Sequence, residues 1–437
     1  MSDVIGDTAG SAGSDGYQKA GSHYEKTRET NFQVDGVTYW VLRSEHSPYL
    51  YSRYGLKKLD SDKAAYLPIA SDALLASLQT QEIPSANEVF NVITDFAKDY
   101  LDFEDSRVYA YYACWIVHCY VFNIQRVTPY VVYSGRPDTG KTSALNVSCC
   151  LSPSGNTVSV SPSSAAVTRI THWLKQPLFV DEYDKLPDAI RGELVSTLNN
   201  GYVYGGCVIR CNQNDYNDIE RLEIFCPKAF TVNDISAFTD TTRDRITEIV
   251  MYKAKNKKKK IEDLSLDSIR IDSIRSLIYR FLAGNDACID RDVDGVGDTR
   301  YEQLSTPILK IATMLGCEDD VRSFLSDNLK EKQDEQEDNL EIQFLRLLLQ
   351  DIESKKEGTY RMRDLREFCP GAYPSDESIG RLMKRLGLHH FKKRNNGVVY
   401  WLTQKQVETV VHMTCPYLVP VASPEPSVPA VPAVVEG

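Results

Sequence analysis

The 437-residue chain has no run of about 18 apolar residues, the length a helix needs to span a bilayer, so no membrane partner is expected. Its opening stretch, MSDVIGDTAGSAGSDG, has neither the basic start nor the apolar core of a secretory leader. The expected location is therefore the cytoplasm of its cell or host. Paired C-x-x-C knuckles are missing among the 11 cysteines. Cys207, Cys211 and Cys226, with His172 and His118 elsewhere, come nearest to a zinc set, and free thiols in apolar surroundings are the better reading. A calcium loop is imitated by Asp290, Asp292, Asp294 and Gly295, but Tyr301 stands where the bidentate acid belongs. Basic charge is short: 50 Lys and Arg face 61 Asp and Glu, a net charge of −11. That argues against a surface wholly wrapped in nucleic acid, yet leaves room for local basic patches.

What is present describes a globular chain of about two or three domains. Residues 1–29 are rich in Gly, Ser and Asp and are expected to be disordered. Alternation in VTYWVL and YLYSRYG predicts a small β-containing unit over 30–84. Helical spacing of Val89, Phe90, Ile93, Phe96, Ala97 and Tyr100 opens a helical region over 85–127. Short apolar strands at Tyr130–Tyr133, Leu178–Val180, Val208–Cys211, Ala229–Val232 and Ile246–Met251 alternate with helical segments. This pattern predicts a three-layer α/β core with a largely parallel sheet over 128–252. A charged connector containing Lys257–Lys260, read as solvated, and a helical lid follow over 253–327, then a polar linker at 328–339. A helical unit ending in a hairpin is expected over 340–410, and an unstructured Pro/Val/Ala tail over 411–437.

Gly135-Arg136-Pro137-Asp138-Thr139-Gly140-Lys141-Thr142, followed by Ser143, matches G-x-x-x-x-G-K-[ST] at every fixed position, between an apolar strand and a helix-forming segment. The chemistry implied is ATP held with Mg²⁺. Backbone N–H groups would surround the phosphates, Lys141 would reach the β- and γ-phosphates, and the Thr142 hydroxyl would ligate the metal. Some 40 residues on, a strand ends in Asp181-Glu182. Asp181 would hold the metal through water and Glu182 would polarise the attacking water. Asn233, after the strand Ala229–Val232, suits a polar group orienting that water. Arg245, and less so Arg243, suits a finger stabilising γ-phosphate charge in a neighbouring subunit, which requires oligomerisation.

The order of these motifs resembles the AAA+ ATPases, and more closely a family encoded in phage, plasmid and viral replication modules that is related to hexameric replicative helicases. The stretches that carry the resemblance are Ser161–Ile170, PLFVDEYDKL, Leu198–Tyr202 with Gly205–Cys211, Pro227-Lys-Ala, Asp244-Arg-Ile and Arg300–Ala312. The resemblance covers about residues 90–400 and implies a hexameric ring. It also implies that Arg300 opens a lid helix and touches the nucleotide's γ-phosphate, although Gln303 and Ser305 stand where the family carries an acid and a tryptophan. Tyr204–Phe225 occupies the place of a β-hairpin in helicase-like relatives. Lys228 and Arg210 are read either as DNA contacts in a central pore or as ordinary surface charges.

The C-terminal unit reads helix, helix, helix, hairpin, with a turn signal at Asn395-Asn396-Gly397, the pattern of a winged helix. Arg381, Lys384 and Arg385 on its third helix, and Lys392, Lys393 and Arg394 on its wing, are candidates for DNA phosphates. The leading expectation is an ATP-driven, ring-forming helicase of a virus or mobile element. The alternatives are an ATPase of the same fold that loads or remodels a partner protein, and a nucleotide-switched DNA-binding regulator. The N-terminal unit offers no primase-like carboxylate set, so any primase or further replication protein would be separate.

Overall fold

A computed structural model describes residues 14–45, 47–61, 67, 69–80, 82–153, 157–158, 164–211, 219–256, 258–297, 299–337, 340–355, 357–368, 376–388, 391–394 and 397–414. The chain divides into two compact units, up to Leu329 and from Lys330 onward. It is a mixed α/β protein with a parallel sheet and many helices. No helix among the described residues is long and apolar enough to cross a membrane.

The first unit opens with helix α1 (Ser14–Thr27), where composition predicts disorder. Tyr17, Ala20 and Tyr24 recur at helical spacing and are buried in a core shared with Phe32, Tyr39 and Leu50. The strands β1 (Asn31–Val34), β2 (Val37–Arg43), β3 (Pro48–Ser52) and β4 (Gly55–Lys58) form an antiparallel sheet in chain order. Its other residues, Trp40, Leu42, Tyr51 and Leu56, join the main core, and Trp40 Nε1 donates to the Tyr120 carbonyl at 2.7 Å.

Helices α2 (Asp72–Ser77), α3 (Ala86–Tyr100) and α4 (Arg107–His118) follow. Ser85 caps α3 by accepting from the Glu88 N–H at 3.2 Å, and Val89, Ile93, Phe96, Ala97 and Tyr100 form its buried stripe. Every residue of α4 from Val108 to His118 is buried, as a helix apolar on all sides requires.

The central sheet comprises β5 (Tyr130–Ser134), β6 (Thr157–Val158), β7 (Leu178–Val180), β10 (Lys228–Val232) and β11 (Ile246–Val250), in the order β11-β5-β10-β7-β6. All four pairings are parallel. Side chains alternate between its faces: Val131, Tyr133, Phe179, Ala229 and Ile249 enter one core, and Tyr130, Val132, Leu178, Phe230 and Ile246 the other. Burial on both faces explains why these strands read as continuous apolar runs. Helices α5 (Lys141–Leu151), α6 (Ser164–Leu174) and α7 (Asp188–Asn200) connect the early strands. The hairpin β8 (Cys207–Cys211) and β9 (Ile219–Glu223) precedes β10, and short α8 (Asp240–Arg243) precedes β11.

The connector after β11 is largely exposed among its described residues, as expected of a solvated segment, and is also tied to the body of the unit. Lys258 Nζ donates to the Lys98 carbonyl at 3.0 Å, Lys259 Nζ pairs with Asp267 at 2.9 Å, and the Lys255 N–H meets Asp102 at 2.8 Å. Helices α9 (Ser268–Gly284), α10 (Thr299–Leu315) and α11 (Glu318–Glu337) complete the helical run, so a helix continues to Glu337 where a linker is expected. Its Glu, Lys and Gln residues are good helix formers.

The second unit contains α12 (Leu340–Lys355), β12 (Glu357–Arg361), α13 (Met362–Arg366), α14 (Asp376–Arg385), β13 (Phe391–Arg394), β14 (Gly397–Thr403) and α15 (Gln404–Thr414). Its sheet is antiparallel in the order β12-β14-β13. Arg381, Lys384 and Arg385 are exposed on α14, and the backbone of Lys392, Lys393 and Arg394 lies in β13. Asn395 and Asn396 of the expected turn lie outside the described residues.

Candidate active site

In a parallel α/β sheet the carboxyl ends of the strands form the natural ligand crevice. Here the loop that leaves β5 folds back on itself through two glycines with positive φ, Gly135 (+141°) and Gly140 (+90°). A side chain at Gly135 would overlap the Met251 carbonyl, so the strand and the loop touch through bare backbone. Pro137, Asp138, Thr139, Gly140, Lys141, Thr142 and Ser143 line one wall of a cleft of about 580 Å³. Glu182, Asp184, Lys185, Thr231, Val232 and Asn233 line the other. Gly135 and Arg136 lie behind it, and both offer carbonyls to Lys141.

Lys141 Nζ donates to the Gly135 carbonyl at 2.7 Å, the Arg136 carbonyl at 2.8 Å and Asn233 Oδ1 at 3.2 Å. Partial burial lowers its pKa, while Asp184 and Asp181 pull the other way. Asn233 is itself oriented: its N–H and Nδ2 donate to Asp184 Oδ2 at 3.0 and 2.7 Å. The Thr142 hydroxyl faces both oxygens of Asp181 at 3.3 and 3.2 Å. Thr231 Oγ1 donates to Asp181 Oδ1 at 2.5 Å and accepts from the Glu182 N–H at 2.7 Å. Glu182 has φ +53°, a left-handed conformation seldom taken outside glycine, and its carboxylate meets Lys185 Nζ at 2.5 Å. A hydroxyl and a carboxylate side by side are hard oxygen donors of the kind Mg²⁺ takes.

The structure thus gathers Lys141, Thr142, Asp181, Glu182 and Asn233 from the ends of three strands. Asp184 and Thr231 were not anticipated from sequence, although the third acid of DEYD was a signal for Asp184.

Arg245 and Arg300 lie elsewhere. The Arg245 carbonyl accepts from the Tyr130 N–H, at the start of β5, whereas the glycine loop leaves its end. Four residues of strand separate these levels by ~13 Å. Arg245 is 7% exposed, with its guanidinium carbon 4.6 Å from the Tyr202 ring centroid. Its Nε and Nη1 are buried and have no hydrogen-bond partner among the described residues. Arg300 lies over the same ring at 5.8 Å and 3.9 Å from Asp244. The expectation that Arg300 touches nucleotide therefore does not hold for the loop of its own chain. The start of α10 meets the amino edge of the sheet, which the order of motifs could not reveal. Arg243, half-buried, lies 3.9 Å from Asp240.

Lys228 is neither a pore contact nor a surface charge. It is fully buried, 4.9 Å from the Tyr130 ring centroid, and donates to the carbonyls of Gly201 (3.2 Å), Ile224 (2.9 Å) and Cys226 (3.0 Å). Burial lowers its pKa, and the neighbouring Cys226 opposes this. Three acceptors match the three donors of an ammonium, so Lys228 is a structural pin and not a DNA contact. Arg210 lies on the exposed hairpin.

No protein-family model and no curated protein matches the sequence. Similar solved structures include SCCmec type IV Cch, an active helicase, with 10% identity over 85% of this chain and 79% of that one at a TM-score of 0.40. The apo A form of the NrS-1 C-terminal region shares 12% identity over 86% and 82%, with a TM-score of 0.38. The inhibitor-bound JCV helicase shares 16% over 45% and 53%, with a TM-score of 0.24. Likeness this distant says nothing of this chain's chemistry.

Proposed function

We propose that this chain is an ATP-hydrolysing motor of the AAA+ type that acts on DNA as a ring of identical subunits, a helicase serving a virus or mobile element. The observation that carries this reading is the meeting of Lys141, Thr142, Glu182 and Asn233 in one cleft beside a glycine loop, with Asp181 against the Thr142 hydroxyl. Lys141 now bonds to loop carbonyls and would exchange these for β- and γ-phosphate oxygens. Thr142 and Asp181 would hold Mg²⁺, which neutralises phosphate charge when bound. Glu182 would accept the proton of the attacking water, and Asn233, braced by Asp184, would orient that water.

Arg245 is too far along the sheet to serve its own chain's loop, and its unfilled donors suit the γ-phosphate of a neighbouring copy. The exposed cations of α14 and the strand pair β13–β14 fit a winged helix on DNA phosphates. Steady-state ATP hydrolysis, with and without single-stranded and duplex DNA, tests the reading against a Lys141→Ala control. Severalfold stimulation by DNA that vanishes in the control is expected. Hydrolysis indifferent to DNA would exclude the DNA motor.

A further inference from the structure

At the amino edge of the sheet two guanidinium groups share one aromatic ring, Arg245 at 4.6 Å and Arg300 at 5.8 Å from the Tyr202 centroid. Like charges this close repel, so their proximity needs a cause. The ring face attracts cations through its quadrupole, and Asp244 stands 3.9 Å from Arg300. The ring meets both arginines, and the Asp244 carboxylate offsets part of their charge.

Tyr202 is fixed from behind. Its carbonyl accepts from the Thr128 N–H at 2.8 Å, and the next residue, Val203, bridges to Val127. Gly201 before it tolerates no side chain: a Cβ there would lie 2.6 Å from the Ile224 carbonyl oxygen and 2.8 Å from Lys228 Nζ. The turn carrying Arg245 is braced as well, since the Thr242 hydroxyl donates to Asn199 Oδ1 of α7 at 3.1 Å. The ring and the turn that carries Arg245 are thus held by separate anchors, while Nε and Nη1 of Arg245 have no partner among the described residues. A buried donor left unpaired calls for an explanation. Nε of Arg191, Arg275 and Arg280 is likewise unpaired among the described residues, but Arg245 has a second such nitrogen, Nη1, and a pair of donors matches an incoming anion.

We propose that Tyr202 is the positioning residue for Arg245 and Arg300, and that it presents both cations together to the polyphosphate bound at the glycine loop of a second copy of this chain. This rests on the reading of Arg245 given above and adds the ring and the second cation.

The test uses full-length chains mixed in defined ratios, with assembly size and thermal unfolding checked for each variant. Tyr202→Leu is expected to lower kcat roughly 10-fold with KM for ATP little changed, and Tyr202→Phe, which keeps the ring, to retain it. Adding Lys141→Ala chains, inactive themselves but with an intact edge, is expected to raise turnover per Tyr202→Leu chain. Arg300→Ala should behave in the same way, which keeps the proposal testable if Tyr202→Leu does not fold. Wild-type kcat in both Tyr202→Leu and Arg300→Ala would overturn the proposal. So would losses that Lys141→Ala chains fail to relieve while they do relieve Arg245→Ala. Relief of none of the three would overturn the shared-site reading as well.

Discussion

At the carboxyl ends of β5, β7 and β10, Lys141, Thr142, Asp181, Asp184 and Asn233 satisfy one another beside an open cleft. At the amino ends of the same sheet, Lys228 and Arg245 hold their charges almost wholly out of water. The two buried cations differ again. Three carbonyls close around Lys228, whereas two nitrogens of Arg245 lack acceptors among the described residues. Groups that pair weakly in the open can exchange partners for a ligand at small cost, and a sealed ion cannot. A buried cation short of acceptors is the third case: it costs stability in the isolated chain, and on the proposal above a second copy of the chain supplies the missing acceptor.

The largest effect expected at the open end comes from Glu182→Gln, which keeps size and removes the carboxylate proposed as the base. Turnover should fall by about 100-fold or more with ATP binding retained, measured by single-turnover hydrolysis. A variant that turns over normally would remove Glu182 from the lytic role and break the contrast there. At the sealed end, Lys228→Met strands three buried carbonyls and should cost about 2–3 kcal/mol of stability in denaturant unfolding. Turnover per folded chain should change little. A Lys228→Met chain as stable as the wild type, or one that loses activity while fully folded, would show that the two buried cations are not different in kind.

Much of the central sheet was legible because its strands are buried on both faces and end in polar residues, as Leu178-Phe-Val180 ends in Asp181-Glu182. The cleft was legible for the same reason: its residues sit at strand ends, where sequence order maps onto neighbouring positions. Helix α1 was not, because its polar composition hides Tyr17, Ala20 and Tyr24 at helical spacing. The amino edge was least legible. Lys228 reads as a surface charge until the turn at Gly201 and the strand β10 bring carbonyls around it. Arg300 reads as a nucleotide contact until the start of α10 comes to rest beside Tyr202 and Asp244. Each depends on contacts between residues far apart in the chain, which periodicity and spacing do not record.

The most direct test of the central claim is to measure ATP binding and ATP turnover together in Arg245→Ala. Binding equal to the wild type, with turnover lowered about 1,000-fold, is the result this account predicts for a residue that serves another copy's site. Turnover at the wild-type rate, or loss of binding at the chain's own loop, would contradict it.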